Sequence, residues 1–295
     1  MTPPHTEKAD SGKSTHGSAF ELVRDLAAAL SAGTVELPSY PQVAVRLQKL
    51  LSDEDSDAER LVRVLGAEPV LAARVITMAN SSALNPSGRK VSDLRTAVVK
   101  LGFDSLRTTA AAFAMVQIRQ AKEFKSIEKP MMALWRQSVS LASMSFVVAR
   151  ATQRFSPDAA MLAGILSGIG KLYLLTRVSK FPDLFADESG FQSIVRDWHT
   201  SIAQALLESW HTSPEIVVAV RDWGVAADDP RLSSNLADVL AAADLLLGHH
   251  EEPELLQGLL ADSPPMLRLG LKAGLAGLLA ESAAELESLR TALSG

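Results

Sequence analysis

The chain has 295 residues, 47% of them apolar and 21% charged, a composition that can bury one or two sizeable cores and excludes a fibrous or wholly disordered protein. It holds no cysteine, which rules out a disulfide framework, a Cys-ligated zinc and a thiol nucleophile, and fits a reducing cytoplasm. The net charge of −5 is unevenly spread: residues 86–130 carry nine Lys/Arg against four Asp/Glu (+5), and residues 181–295 carry six against eighteen (−12). Such asymmetry reads first as ordinary solvated faces and second as a basic patch for a nucleotide or an acidic partner.

In chain order, the opening MTPPHTEKADSGKSTHGS has no apolar centre. It is therefore no signal peptide, and residues 1–17 are expected to form a disordered tail. Helical signals then run throughout. Ser56 with Glu59 three residues later makes a capping box for a helix expected to stop at Gly66. Pro69 takes a first-turn position in a helix that ends at Asn80, before the turn-rich loop SSALNPSGRK. A helix from Ser92 to Gly102 is followed at once by a second through DSLRTTAAAFAMV. Pro130 breaks the chain, and a long run starts near Met131. Ser156–Pro157 and Ser213–Pro214 each read as an N-cap with proline behind it. No stretch sustains the alternation of a strand. The expectation is an all-α fold of two packed helical lobes, residues 18–129 and 130–295. The longest apolar runs, such as Leu236–Gly248, are interrupted by Asp238 and Asp244, so no segment is expected to reach membrane-spanning length and no membrane partner is expected.

Catalytic motifs are sparse. His5 and His16 fall in the expected tail, and His249 and His250 sit beside Glu251 and Glu252 at a helix end. His199 and His211, twelve residues apart, would project about 120° apart on one continuous helix and could not share an ion. There is no G-x-S-x-G elbow and no H-E-x-x-H pair. GIGK at 168–171 lacks the first glycine and the trailing Ser/Thr of a phosphate loop. LGFDSLR at 101–107 could form a helix–turn–helix corner, but its apolar neighbours leave few groups to read bases, so nucleic acid is not an expected partner. The stretch LAGILSGIGKLYLL (162–175) reads as a helix whose middle, Ser167, Gly168 and Gly170, is a mount carrying nothing reactive.

Several segments together resemble the HDOD family, a bacterial signalling module related to the HD phosphohydrolases. ELPSYPQVAVRLQKLLSD is similar to its opening helix, AEPVLAARVITMANSSAL to its Pro–Leu-Ala-x-Arg–Asn-Ser motif, and VSDLRTAVVKLGFDSLRTTA to the helix pair that follows. LAGILSGIGKL resembles the helix that carries His-Asp in HD enzymes. WHTSIAQALLESWHTSPEIVVAVRDW resembles the later Trp/Pro segment. The resemblance implies a helical N-terminal lobe packed on an HD-like lobe. HD enzymes hold metal through a His, a His-Asp pair and a later Asp. The matching positions here are Gln137, the pair Ser167–Gly168, and Asp244, with Asp222 and Trp223 at a further pair and His199 retained. Gly168 offers no donor, and the neutral oxygens of Gln137 and Ser167 are poor substitutes. The resemblance therefore implies a module with no catalysis, no metal and no cofactor, acting on other signalling proteins in two-component or cyclic-dinucleotide circuits. The alternative is a nucleotide or cyclic-dinucleotide sensor in which Lys171, Arg136 and Asp244 keep a pocket; a residual metal-dependent phosphohydrolase comes third. Arg74, Asn80 and Arg107 are the polar candidates for partner contact within the N-terminal motifs, with Asn80 read first as a helix cap.

Overall fold

The computed structural model describes residues 8–53, 55–225, 232–249, 263–271 and 275–294. Among them there is no strand, and the all-α expectation holds. Helix α1 spans Lys8–Ala32, α2 Gln42–Leu51, α3 Ala58–Gly66, α4 Pro69–Ala79 and α5 Leu94–Gln120. A 3-10 turn, Lys122–Ile127, leads into α6, Glu128–Thr152. Then come α7 (Pro157–Leu166), α8 (Ile169–Val178), α9 (Pro182–Ala186), α10 (Glu188–Ser209) and α11 (Pro214–Asp222). The chain continues with α12 (Leu236–His249), α13 (Pro264–Leu269) and α14 (Leu275–Ser294).

Local chemistry sets the helix starts, with corrections to the expected caps. Asp57, not Ser56, caps α3: its Oδ1 accepts the Arg60 N–H at 2.7 Å. Asp93, not Ser92, caps α5 in the same way through the Thr96 N–H at 2.8 Å. In both places a carboxylate sits one residue nearer the helix than the serine, and its charge also suits the positive end of the helix dipole. Ser156 does cap α7, through the Ala159 N–H at 3.2 Å, whereas Ser213 makes no side-chain cap on α11. Gly66 closes α3 as a helical residue rather than following it. Pro130 lies inside the first turn of α6 instead of ending a helix, a place where its missing N–H costs nothing. Helix α1 already runs from Lys8, so residues 8–17 of the expected tail are helical; residues 1–7 lie outside the described set. The reason is downstream: Leu22 and Leu26, one turn apart, are buried and anchor a helix that can then extend backwards.

The two runs expected on either side of Gly102 are two helical segments within α5 that meet at Gly102, where the helix is broken by a sharp kink. Gly102 has φ +70 and ψ 179, a conformation open to glycine almost alone. No atom crowds the space where its Cβ would stand, so the cost of a side chain there is conformational. Gly102→Ala is expected to destabilise the fold by about 1–3 kcal/mol, read as a lower urea midpoint at unchanged m-value.

The segments divided near residue 130 share one hydrophobic cluster that runs from Leu22 to Leu293. Helix α6 is its axis, packing against α5, α7, α8, α12 and α14. The chain ends cross over. Helix α1 rests on α9 and α10, while α14 returns to α4 and α5. Three contacts fasten α14: an Arg150–Glu285 ion pair, the Arg74 guanidinium on the Leu293 carbonyl at 3.3 Å, and Ser288 Oγ accepting the Ser82 N–H at 2.9 Å. The expectation that no segment reaches spanning length needs correction. Pro157–Val178 is 22 residues long and apolar enough, but its most apolar window is 94% buried in the core, and Ser167–Gly168 divides it into α7 and α8.

Candidate functional site

The centre of the site is the α7–α8 junction, braced by two close helix crossings. A Cβ on Gly164 would stand 2.5 Å from the Cα of Ala142 in α6. A Cβ on Gly170 would stand 1.9 Å from the carbonyl oxygen of His199 in α10. These glycines let backbone meet backbone, and they fix Ser167 and Gly168 between α6 and α10. The mount is thus a break between two helices rather than the middle of one, with Gly168 at φ −88, ψ 0 as the N-cap of α8.

The mount is closed. Ser167 is 8% exposed, and its hydroxyl turns back to donate to the Gly164 carbonyl at 2.7 Å. A Cβ on Gly168 would fall 2.7 Å from Ser138 Oγ and 2.9 Å from Leu134 Cδ1. Any side chain at 168 would therefore require Ser138 or Leu134 of α6 to move. Ser138 is 1% exposed and its hydroxyl has no protein partner among the described residues.

Beside this plug the chain keeps an open cavity of about 540 Å³ between α6, α8, α9 and α10. Gln137 and Lys171 line it, as do Phe185, Glu188, Phe191 and Gln192. Lys171 also stands within electrostatic reach of both His199 and Asp244. Four sequence candidates, Gln137, Lys171, His199 and Asp244, are thus gathered around one helix crossing. The Nδ1 of His199 lies 2.7 Å from the Val195 carbonyl. A carbonyl can only accept, so Nδ1 carries the proton and the lone pair is on Nε2. Asp244 remains open to solvent on one side, yet burial raises its carboxyl above the ordinary range, and the Lys171 charge works against that. One imidazole and one carboxylate with an ammonium beside them make a poor cradle for a divalent cation. Among the described residues no three His, Asp or Glu side chains gather closely enough to hold one.

The remaining candidates lie elsewhere. Asp222 is engaged by its neighbour, with Arg221 Nε donating to Oδ1 at 2.6 Å and Nη2 to Oδ2 at 2.8 Å. Arg136 is exposed and does not line the cavity. Arg74 serves α14, as above, and stacks over Phe113 at 5.9 Å. Arg107 pairs with Asp104 at 2.7 Å and donates to the Leu51 carbonyl, closing the end of α2. Asn80 does more than cap α4. Its amide donates to the carbonyls of Ile76 at 2.9 Å and Val91 at 2.7 Å, and its Oδ1 accepts the Val91 N–H at 2.8 Å. That stitches both ends of the 81–90 loop together. All three make internal bonds, and Asn80 stands at the C-cap of α4 as expected. His211, past the end of α10 at φ +53, lies with Arg107 and Ser52 around a separate hollow, away from His199. His250 lies outside the described residues.

Phe185, Glu188, Phe191 and Gln192 were not singled out from sequence. A signal existed: 188, 191, 192, 195 and 199 recur at helical spacing and continue the His199 face back along α10.

Burial holds the His199 imidazole below its ordinary value, the Val195 carbonyl opposes this, and the Lys171 charge adds to the lowering. On acidification the unfolded chain, with its value near 6.5, takes up this proton before the folded chain does. Stability carried by His199 is therefore present above that window and lost as the pH falls through it. The melting temperature is expected to drop from about pH 7 to about pH 5 more steeply in wild type than in His199→Gln; parallel curves would remove His199 from this role.

A family model for the HDOD domain matches residues 37–223, more than half of the chain and all of the segments around this site up to α11. The chain belongs to the HDOD family. No curated protein matches it as a relative. Among solved structures, the HDOD chain is similar to a "Putative metal-dependent phosphohydrolase" from Shewanella amazonensis SB2B, with a TM-score of 0.74 at 23% identity over 94% of this chain and 99% of that one. It is also similar to an HDOD domain protein of unknown function from Geobacter sulfurreducens (TM-score 0.59, 22% identity, 91% and 96% covered). A third is a "Putative signal transduction protein" from Marinobacter aquaeolei VT8 (TM-score 0.58, 21% identity), matched over 95% of this HDOD chain and 66% of that longer one. At these identities the likeness establishes the HDOD fold.

Proposed function

We propose that this HDOD protein is a non-catalytic cytoplasmic signalling module that acts by binding other signalling proteins, its HD metal site lost. One observation carries the reading: the place of the His-Asp pair holds Ser167 and Gly168, neither with a strong metal donor, and a side chain at 168 would meet Leu134 and Ser138. The donors left, His199 and Asp244, are too few to hold a cation and lower the pKa of a bound water. Family membership and the fold shared with the Marinobacter protein support a signalling role. The test has two parts. Elemental analysis of the purified protein is expected to find well under one transition metal per chain, with no hydrolysis of phosphomonoesters or phosphodiesters when Mn²⁺ is supplied. A tagged full chain is expected to retain a cytosolic signalling protein whose binding can be rebuilt from the two purified partners. A stoichiometric, tightly held metal together with turnover would overturn the reading.

A second reading, a nucleotide or cyclic-dinucleotide sensor, is favoured by the cavity beside the plug. Its volume of about 540 Å³ suits a small ligand, and it presents a cation and two aromatic rings.

A further inference from the structure

The cavity beside the plug was shaped by helices that the fold needs anyway, yet its lining has a particular chemistry. Two walls are apolar, built by Leu134 and Leu175. A third holds Phe185 and Phe191, whose rings meet edge to face with centroids 6.1 Å apart. Such an arrangement leaves a flat apolar face on which a planar ring can lie. Polar groups are few. Gln137 on α6 and Gln192 on α10 present amides, each able to donate and accept. Lys171 on α8 presents a single ammonium. Gln137, Gln192 and Lys171 make no hydrogen bond or ion pair among the described residues, although Lys171 lies within electrostatic reach of Asp244. The one acid in the lining is Glu188, at the start of α10.

Charge then sorts the ligands. The Lys171 ammonium, already within reach of Asp244, can take at most one further acidic group. A second anionic group in the same cavity would meet Glu188, or would extend out of the site. A cyclic dinucleotide carries two phosphates and two bases, and a volume of about 540 Å³ with one cation does not satisfy both halves. We propose that this cavity binds a small molecule made of one planar aromatic ring and one acidic group, the ring against Phe185 and Phe191, its polar edge on Gln137 and Gln192, and the acid on Lys171. The inference rests on the sensor reading and narrows it from nucleotides in general to ligands with one aromatic ring system and a single acidic group. Two sources share this chemistry, nucleoside monophosphates and aromatic carboxylates.

The test uses the full chain in calorimetric titration and thermal-shift assays, with five probes: AMP, GMP, 4-hydroxybenzoate, cyclic di-GMP and inorganic phosphate. The expected result is saturable one-to-one binding of a monophosphate or of the carboxylate, with phosphate alone and cyclic di-GMP at least tenfold weaker. Preference between AMP or GMP and 4-hydroxybenzoate identifies the source. Lys171→Gln is expected to weaken the favoured probe at least tenfold. Ala133→Trp, which projects a large ring from an exposed position of α6 into the cavity, is expected to abolish binding without lowering the melting temperature. Cyclic di-GMP binding more tightly than AMP, GMP and 4-hydroxybenzoate would overturn this inference and leave the sensor reading standing. Binding that survives Ala133→Trp would place the ligand elsewhere and overturn it. Absence of binding by all five probes at 1 mM would overturn the inference and the sensor reading together, leaving the protein-interaction reading to its own assay.

Discussion

Gly170→Ala is expected to be the most damaging single-methyl change in the protein. The added Cβ would fall 1.9 Å from the His199 carbonyl oxygen and 2.8 Å from its carbonyl carbon. Both are backbone atoms of α10, so no rotamer change relieves the overlap; α8 and α10 must part along their length. Overpacking a well-filled core costs about 1–3 kcal/mol and occasionally more. A clash of backbone against backbone belongs at or beyond the top of that range. For a chain of this size a loss of about 3 kcal/mol lowers the melting temperature by roughly 6–12 °C. Gly164→Ala, whose Cβ would stand 2.5 Å from the Ala142 Cα, is expected to follow closely. The control is Gly66→Ala at the exposed end of α3, where nothing lies within 4 Å of the new methyl. It is expected to raise stability by about 0.4–1 kcal/mol, because alanine restricts the unfolded chain and suits a helix. If all three variants moved the urea midpoint in the same direction, the close crossings would not be what the glycines are for.

The second large effect is expected at Asp238 and Arg268. Both side chains are 3% exposed, and Arg268 donates to Asp238 Oδ1 from Nε at 3.0 Å and from Nη2 at 2.5 Å. The other carboxylate oxygen accepts the Asn235 N–H at 2.9 Å, at the start of α12. Asp238 thus ties α13 to α12 while capping α12. Arg268→Met removes the cation and leaves a buried carboxylate without its charge partner, which typically costs about 3–5 kcal/mol. The double change Asp238→Asn, Arg268→Met is expected to recover most of this. A neutral amide is far cheaper to bury, its oxygen can still accept from Asn235, and methionine fills the arginine's volume. A denaturation cycle over the four proteins measures the coupling. Additive losses would show that the pair is not coupled in the fold.

Much was legible from sequence because it is written in local chemistry. Proline behind serine or glutamate marked the starts of α4, α7 and α11, where a missing N–H is harmless. The absence of alternation excluded strands. The ordered motifs pointed to the HDOD family. The misses are equally physical. Asp57 and Asp93 outdid the serines before them because either residue type can cap, and the choice depends on where the first helical turn closes. The internal bonds of Arg74 and Asn80 were not legible from sequence either. Their bonds run to Leu293 and Val91, which are distant in sequence or fixed only by how the loop folds.

The stretch LAGILSGIGKLYLL shows where the boundary lies. Composition alone determined that it is apolar, that it has no metal donors, and that its glycines must cost helix propensity. Only the tertiary structure decided what those glycines do. Gly164 and Gly170 are crossing points for α6 and α10, and Leu134 and Ser138 crowd the place of a side chain at Gly168. The cavity beside it likewise draws on Gln137, Lys171, Phe185 and Gln192, from four helices spread over 56 positions of chain. Residue type limits the chemistry a position can perform, since a donor is present or absent whatever the fold. Vacancy, closure and convergence are properties of packing between distant segments, and no local pattern carries them.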